Sequence, residues 1–171
     1  EPYRRQRQMC IRDRFIKPAL LIFASISLFI GALSANGEKN LRELFAFSSI
    51  YHTGFLLFTI VSFNDNSVLS AFAYMMVYIL AMAGVYTVFL GLKSRGDYLT
   101  GLSDIDGLSV SKPYLSAALL VFMVSLAGIP PMLGFLGRLS VINNLVVEER
   151  WGDVVVLLVS MLFMANAYLQ V

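Results

Sequence analysis

The sequence contains a single cysteine, Cys10, and a single histidine, His52. One cysteine rules out a disulfide within the chain and any metal or iron–sulfur site built from several thiolates. One histidine likewise rules out a metal or haem site held by several imidazoles of this chain. CxxC, GxGxxG and P-loop patterns, which bind metals, dinucleotides and phosphates, are also missing. We therefore expect no cofactor or metal in this chain, and no nucleic-acid partner.

Charge is scarce as well. Only 14% of the residues are charged and 58% are hydrophobic, whereas roughly 25% are charged in a typical soluble domain. The charged residues stand mostly at the ends of long apolar runs and not along one face of each run. A chain of this composition cannot cover its surface with polar groups. The composition predicts an integral membrane protein whose main partner is lipid.

Five apolar stretches are long enough to cross a bilayer, which takes roughly 20 residues. They cover residues 15–35, 44–63, 68–92, 114–147 and 154–171, with polar residues between them. The sequence therefore predicts an all-α membrane protein with about five transmembrane helices in one domain, residues 15–171.

The fourth stretch is too long for one straight crossing. About 34 helical residues would extend about 51 Å, well beyond a hydrocarbon core of about 30 Å. Its middle contains Gly128, Pro130, Pro131 and Gly134. Two consecutive prolines remove two backbone donors and clash with the preceding turn. We therefore predict a helix broken by Pro130-Pro131, interrupted between Gly128 and Met132.

Residues 1–14 form a separate basic segment with five arginines. Its sequence resembles translated sequencing-adapter read-through, so we expect this segment to be an artefact and not part of the native protein. A native basic arm or the remains of a targeting segment is the other interpretation.

Basic residues also indicate how the chain lies in the membrane. Lys39 and Arg42 follow the first span as expected interfacial residues, and Lys93, Arg95 and Lys112 follow the third. Both loops lie on the side opposite to the N-terminus, which we call the basic face. With residues 1–14 set aside, the excess of basic residues predicts that this face borders the cytoplasm or the mitochondrial matrix.

Arg138 is the charged residue placed deepest in an apolar stretch. A charge at the membrane centre costs about 2.5–3.5 kcal/mol on insertion scales, so it is kept where it is paired, hydrated or functional. One interpretation assigns Arg138 to an ion pathway. The other is that its side chain extends towards the membrane surface opposite to the basic face.

His52 lies within the second span, with Ser48 and Ser49 one helical turn before it. An imidazole exchanges protons near neutral pH, which suits a proton relay made with these hydroxyls. A packed histidine bound to a neighbouring helix is the alternative. The aromatic and methionine residues 74–78 are interpreted as a lipid-facing or packing surface.

Two segments resemble one known family. Residues 40–55 (NLRELFAFSSIYHTGF) are similar to a segment of the antiporter-like subunits of respiratory complex I. Residues 125–138 (SLAGIPPMLGFLGR) are similar to a segment of NADH dehydrogenase subunit 2. At the position of Arg138 the family has a lysine.

This resemblance implies half of an antiporter-like inverted-repeat fold, corresponding to the ninth to thirteenth of fourteen helices, thus to the C-terminal half only. It implies a non-redox, proton-translocating subunit of NADH:ubiquinone oxidoreductase in the membrane arm of complex I. The proton pathway would include Arg138, His52, Ser48 and Ser49. Arginine stays protonated, so Arg138 would act as a fixed charge and would not load and unload a proton.

The resemblance also implies partners and a location. Other membrane-arm subunits would surround the chain, and a separate polypeptide would supply the missing N-terminal half. The expected location is the mitochondrial inner membrane, with the bacterial plasma membrane as the alternative. Two other functions remain open: a subunit of a multi-subunit cation/proton antiporter, and a structural accessory subunit without transport.

Overall fold

A computed structural model describes residues 2–61, 65–92, 105 and 108–171, with side chains from residue 16 onward in the first helix and from residue 68 onward in the third. Seven helices are present in these ranges: α1 (Pro2–Ala35), α2 (Leu41–Val61), α3 (Asp65–Leu92), α4 (Leu108–Ser111), α5 (Pro113–Ala127), α6 (Leu133–Val147) and α7 (Trp151–Leu169). The predicted all-α architecture is confirmed.

Four of these helices contain segments long and apolar enough to cross a membrane: Ile16–Ala35, Leu41–Val61, Val68–Leu92 and Trp151–Leu169. Helix α1 nevertheless begins at Pro2, ahead of the predicted start at residue 15, and continues through Pro18. Backbone hydrogen bonds do not depend on side-chain hydropathy, so a helix can extend beyond its apolar part. An apolar run therefore predicts where a helix crosses the membrane better than where it ends.

The predicted fourth span consists of two short helices, α5 and α6, of 15 residues each. Each is about 22 Å long, which is too short to cross the hydrocarbon core alone. Both pack against α3. They therefore form one crossing made of two halves.

The two halves run antiparallel to α3 along its whole length. Contacts pair Gly91 with Lys112, Gly84 with Phe122, Tyr74 with Gly137, and Ser70 with Asn144. From Ser70 to Gly91 α3 rises about 32 Å, close to the thickness of the hydrocarbon core. The break between α5 and α6 thus lies near the middle of the membrane.

Close approach of backbones holds α1 against α2. A Cβ at Gly31 would lie 2.6 Å from the backbone nitrogen of Tyr51, and one at Gly54 would lie 2.9 Å from the Cβ of Ser27. Small residues at helix contacts allow this in membranes, where dispersion contacts replace the hydrophobic effect between helices. Large apolar side chains such as Leu69, Leu90 and Leu162 are exposed on the outside, as expected of a surface that faces lipid.

Polar contacts tie the end of α1 to the last turns of α7. The Asn36 amide nitrogen donates to the Phe163 carbonyl at 2.7 Å, and the Asn166 amide nitrogen donates to the Asn36 amide oxygen at 2.6 Å. Both helices therefore end on the basic face. Lys39 and Arg42 are exposed there, whereas Lys93 and Arg95 lie outside the described residues.

Candidate functional site at the broken helix

Helix α5 ends in a Schellman motif around Gly128. The Gly128 N–H donates to the Ser125 carbonyl at 3.1 Å, and the Ile129 N–H donates to the Val124 carbonyl at 3.3 Å. Gly128 adopts φ 76° and ψ 35°, a left-handed conformation that glycine reaches without a Cβ clash. These two bonds satisfy two of the carbonyls that every helix C-terminus leaves without a partner.

The prolines extend the interruption. Pro130 and Pro131 have no backbone N–H, and the peptide bond between them is cis. The next turn closes where the Met132 N–H donates to the Ile129 carbonyl at 3.1 Å, and α6 begins at Leu133. The predicted break at Pro130-Pro131 is therefore confirmed.

Gly134 allows α6 to begin directly beside the end of α5. A Cβ built at Gly134 would overlap the Ser125 carbonyl oxygen. Any larger residue would push the two half-helices apart, because a backbone carbonyl in a helix cannot rotate away. Gly134 therefore sets the distance between the halves.

Arg138 satisfies the next two carbonyls of α5. Its Nη1 donates to the Ala127 carbonyl at 2.7 Å and its Nη2 donates to the Leu126 carbonyl. The side chain is only 3% exposed and extends back towards the break. Arg138 thus lies in the protein interior, and the alternative in which it extends to the membrane surface opposite to the basic face is wrong.

The positive charge of the Arg138 guanidinium is stabilised by an aromatic ring and by backbone carbonyls. Its Cζ lies 5.9 Å from the ring centroid of Tyr51, within the range of a cation–π interaction. The two carbonyls belong to the negative end of the α5 dipole, which favours a cation. Among the described side chains, Arg138 forms no ion pair with a carboxylate, and its Nε has no hydrogen-bond partner among them.

A chain of hydrogen bonds connects three helices beside the break. The Tyr168 hydroxyl contacts the Ser48 hydroxyl and lies 2.9 Å from Nε2 of His52. Nδ1 of His52 lies 2.5 Å from the Tyr74 hydroxyl. We call these four residues the polar chain. Each of its members is at most 3% exposed, and their shared bonds join α2, α3 and α7.

The structure separates the two serines that the sequence places on the same side of His52. Ser48 belongs to the polar chain, whereas the Ser49 hydroxyl donates to the Phe45 carbonyl at 2.9 Å and lies 3.2 Å from the Tyr78 hydroxyl. Tyr78 stacks on His52 with ring centroids 4.2 Å apart. Ser49 therefore lies beside the polar chain without bonding to His52.

A small cavity lies between the polar chain and the break. Its volume is about 10 Å³, and His52, Tyr74, Ser125 and Arg138 are among the residues that line it. This volume is at the lower limit for one water molecule. The polar chain and the broken helix therefore border the same small space.

A larger cavity of about 450 Å³ lies between the break and α7, with Pro130, Phe135, Arg138, Leu158 and Met161 in its walls. Non-helical backbone at membrane depth is tolerated where it is buried in protein or lines a cavity. The end of α5 meets this condition, because Leu126 and Ala127 are buried, whereas Pro130, on the side of the larger cavity, and Pro131 are exposed.

Sequence reasoning missed two members of the polar chain. Tyr74 is 3% exposed and bonded to His52, so its interpretation as lipid-facing or packing surface was incomplete. Tyr168 does not stand out in the sequence, because tyrosines are common near the ends of membrane helices. A usable signal is present in the sequence: Ser160 and Tyr168 are eight residues apart and lie on one side of a mostly apolar helix, and both are buried.

The polar chain can relay a proton although its four members are uncharged at rest. Hydroxyls both donate and accept, and a neutral imidazole donates from one nitrogen and accepts at the other. The four residues can therefore align all their donors towards Ser48 or all towards Tyr74. Arg138 only donates; its terminal nitrogens bond to two backbone carbonyls, and its guanidinium also interacts with the Tyr74 hydroxyl at one end of the polar chain.

Residues 3–164 match the family described as NADH:quinone oxidoreductase/Mrp antiporter, transmembrane. The chain is similar to NADH-quinone oxidoreductase subunit N of Pelagibacter ubique, with 34% identity over 153 residues, which cover 89% of this chain and 32% of the relative. The chain thus spans about a third of the length of the curated relatives it matches.

Two solved structures are similar to this fold. A chain of respiratory complex I from Thermus thermophilus with bound aureothin matches with a TM-score of 0.75 and 30% identity, over 89% of this chain and 34% of that chain. A chain of the Mrp complex from Dietzia sp. matches with a TM-score of 0.77 and 22% identity, over 92% of this chain and 29% of that chain. The second likeness, at this identity, concerns the fold alone.

Proposed function

Because the chain belongs to the NADH:quinone oxidoreductase/Mrp antiporter transmembrane family, we propose that it is a non-redox, proton-translocating subunit in the membrane arm of an NADH:ubiquinone oxidoreductase. The observation that carries this proposal is the polar chain: four buried, uncharged groups bonded in series across α2, α3 and α7. Buried polar groups at membrane depth are costly and mark ion or proton pathways.

The polar chain supports a balanced proton transfer. In the starting arrangement, Ser48 donates to Tyr168, Tyr168 donates to Nε2 of His52, and Nδ1–H of His52 donates to Tyr74. A proton arriving at Ser48 moves each hydrogen one position along, and the Tyr74 hydroxyl releases its own proton to a water molecule that the small cavity would hold. One proton enters and one leaves, and every hydrogen bond then points the opposite way. The chain resets when its hydroxyls rotate and the imidazole ring flips about its Cβ–Cγ bond, which turns its N–H back towards Tyr74.

The proposal assigns the chain to the C-terminal half of a subunit N-type protein, with another segment or polypeptide supplying the preceding helices. The relatives are about three times as long, which supports a larger unit around this chain. NADH and quinone would react on other subunits, with no cofactor held here. The proposed location is an energy-coupling membrane. The mitochondrial inner membrane was predicted, and the bacterial origin of the relative named above favours the alternative, a bacterial plasma membrane.

The test is Tyr168→Phe in the intact complex reconstituted into vesicles. This change removes one hydroxyl that serves both Ser48 and His52. We expect the ratio of protons moved to NADH oxidised to fall, because the polar chain is cut between its two ends. NADH-driven acidification of the vesicle lumen, divided by the rate of NADH oxidation, measures this ratio.

Tyr78→Phe is the matched control. It also removes a tyrosine hydroxyl next to His52, and the ring that stacks on the imidazole is kept. We expect the parental ratio. An unchanged ratio in Tyr168→Phe would contradict the proposed pathway and would favour the accessory-subunit function.

A cation/proton antiporter is the second candidate, because the fold is also that of a chain in the Mrp complex from Dietzia sp.. The two functions differ in what drives the protons. Vesicles that acidify in response to a sodium gradient in the absence of NADH would favour the antiporter. Acidification that requires NADH oxidation would favour the oxidoreductase subunit.

A further inference from the structure

We infer that Arg138 is a positioning residue that caps α5 and holds the broken helix together, and that protons pass beside it and not through it. This assigns Arg138 a place outside the predicted proton pathway. The pumping measurement below rests on the proposed function, whereas the hydrogen-exchange measurement does not.

Arg138 binds the two carbonyls at the end of α5 that the Schellman motif leaves without a donor. The Schellman motif uses the carbonyls of Val124 and Ser125, and the two terminal nitrogens of Arg138 use those of Leu126 and Ala127. Four consecutive carbonyls at membrane depth are thereby satisfied without water. A guanidinium presents two parallel donors in a rigid plane, which one ammonium group cannot reproduce.

Arg138 also links the two halves mechanically. Its Cα belongs to α6, and its hydrogen bonds end on the last turn of α5. The link therefore spans the interruption at the prolines, where the backbone makes no continuous helical hydrogen bonds. Ser125 on α5 and Arg138 on α6 line the small cavity together with Tyr74, so separating the halves would change this cavity.

Gly128 completes the arrangement. A Cβ at this position would lie 2.7 Å from Nη1 and 2.9 Å from Cζ of Arg138. Gly128 therefore provides both the left-handed turn and the space for the guanidinium. A substitution at Gly128 can displace the cap while leaving the positive charge of Arg138 in the protein.

Because the cap can be disturbed without removing the charge of Arg138, an experiment can test the two separately. We compare Gly128→Ala, which disturbs the cap and keeps the charge, with Arg138→Met, which removes both. Amide hydrogen exchange is measured in the purified complex at Gly128, Ile129 and Met132. A hydrogen bond to a charged group is worth enough to change local opening roughly tenfold to a hundredfold, so we expect both variants to accelerate exchange by about that factor. We also expect both to lower the ratio of protons moved to NADH oxidised.

Gly37→Ala is the matched control for the backbone. Gly37 also has a positive φ, 90°, but a Cβ there meets no atom within 4 Å. This variant carries the same kind of backbone strain without touching Arg138. We expect parental exchange at residues 128–132 and a parental pumping ratio.

Arg138→Lys provides a second test if the complex that carries Gly128→Ala does not assemble. The lysine keeps the charge but offers a single donor atom, so we expect exchange between that of the parent and that of Arg138→Met. Three results would overturn the inference: parental exchange in Arg138→Met, parental pumping in Gly128→Ala with accelerated exchange while Arg138→Met pumps less than the parent, or Arg138→Lys equal to the parent in both measurements while Arg138→Met differs in both. A failure of the proposed function would look different, because every variant would then share one pumping ratio whatever its exchange rates.

Discussion

The chain contains two similar helix ends in very different surroundings. At the membrane centre, α5 ends around Gly128. At the membrane surface, α6 ends around Glu149, where the Glu149 N–H donates to the Val146 carbonyl and the Arg150 N–H to the Leu145 carbonyl, both at 3.0 Å. Both ends therefore form the same Schellman pattern, and both have an arginine nearby.

The two ends differ in the residue that adopts the left-handed conformation and in the partners of the nearby arginine. The left-handed residue is glycine at the centre but glutamate at the surface, where Glu149 has φ 57°. Arg138 bonds to carbonyls, whereas Arg150 pairs with the carboxylates of Glu148 and Asp153. The backbone bonds are alike, so the environment accounts for the difference.

Access to water explains this contrast. At the surface, water can satisfy the remaining carbonyls, so the arginine is not needed as a cap and the exposed Glu149 side chain projects into solvent. At the centre, an unsatisfied carbonyl costs several kcal/mol, so a side chain of the protein has to supply the donors. At Gly128, the guanidinium of Arg138 lies where the Cβ of a larger residue would be.

The largest expected difference is between two glycines: Gly134, the second residue of α6, and Gly152, the second residue of α7. Gly134→Ala would force a Cβ onto the Ser125 carbonyl, whereas Gly152 has no atom within 4 Å of its Cβ position. We expect Gly134→Ala to lower the free energy of unfolding by about 3 kcal/mol through overpacking. Gly152→Ala should not lower it, because alanine favours helices. Thermal unfolding in detergent compares the two, and equal stability would show that the half-helices adapt.

A smaller effect is expected at the left-handed residue of the surface turn. Glu149→Gly should raise the free energy of unfolding by about 1 kcal/mol, because a non-glycine residue in this conformation costs about 1–2 kcal/mol and glycine loses part of that gain through its freer unfolded state. The same unfolding assay measures the change. A loss of stability would mean that the Glu149 side chain makes a contact worth more than its backbone strain.

The smallest effect is expected at the surface ion pair. Asp153→Asn removes the contact with Arg150, and both side chains are about a quarter exposed. We expect a loss of about 0.5 kcal/mol or less, which added salt should shrink further. A loss of more than about 1 kcal/mol, unchanged at high salt, would indicate that the surface turn depends on its arginine as the central one does.

Much of the fold could be predicted from local sequence. The apolar runs predict the spans because burying about 20 residues in lipid is decided by composition. The broken helix could be predicted because Pro130 and Pro131 lack donors in any environment. The contacts among Asn36, Phe163 and Asn166 show that α1 and α7 end on the same side, as an odd number of crossings between the two helices requires; the compartment that this side borders stays a prediction from the basic residues.

Only some residues of the candidate functional site could be predicted from the sequence. His52 and Arg138 attracted attention because polar groups in apolar runs are rare. Ser48 and Ser49 could not be told apart, since adjacent residues on a helix differ in direction by about 100° and only the position of the neighbouring helices selects one. The same reason hid Tyr74, whose direction depends on how α3 rotates against α2.

The sequence by itself therefore determined that the chain crosses the membrane in about five passes and that the fourth is interrupted, because both follow from properties of the residues concerned. Only the tertiary structure decided that Tyr168 meets Ser48 and His52, and that Arg138 ends on Leu126 and Ala127. Tyr168 and Ser48 are 120 residues apart along the chain. Their contact arises from the packing of α7 against α2, which no local pattern of residues encodes.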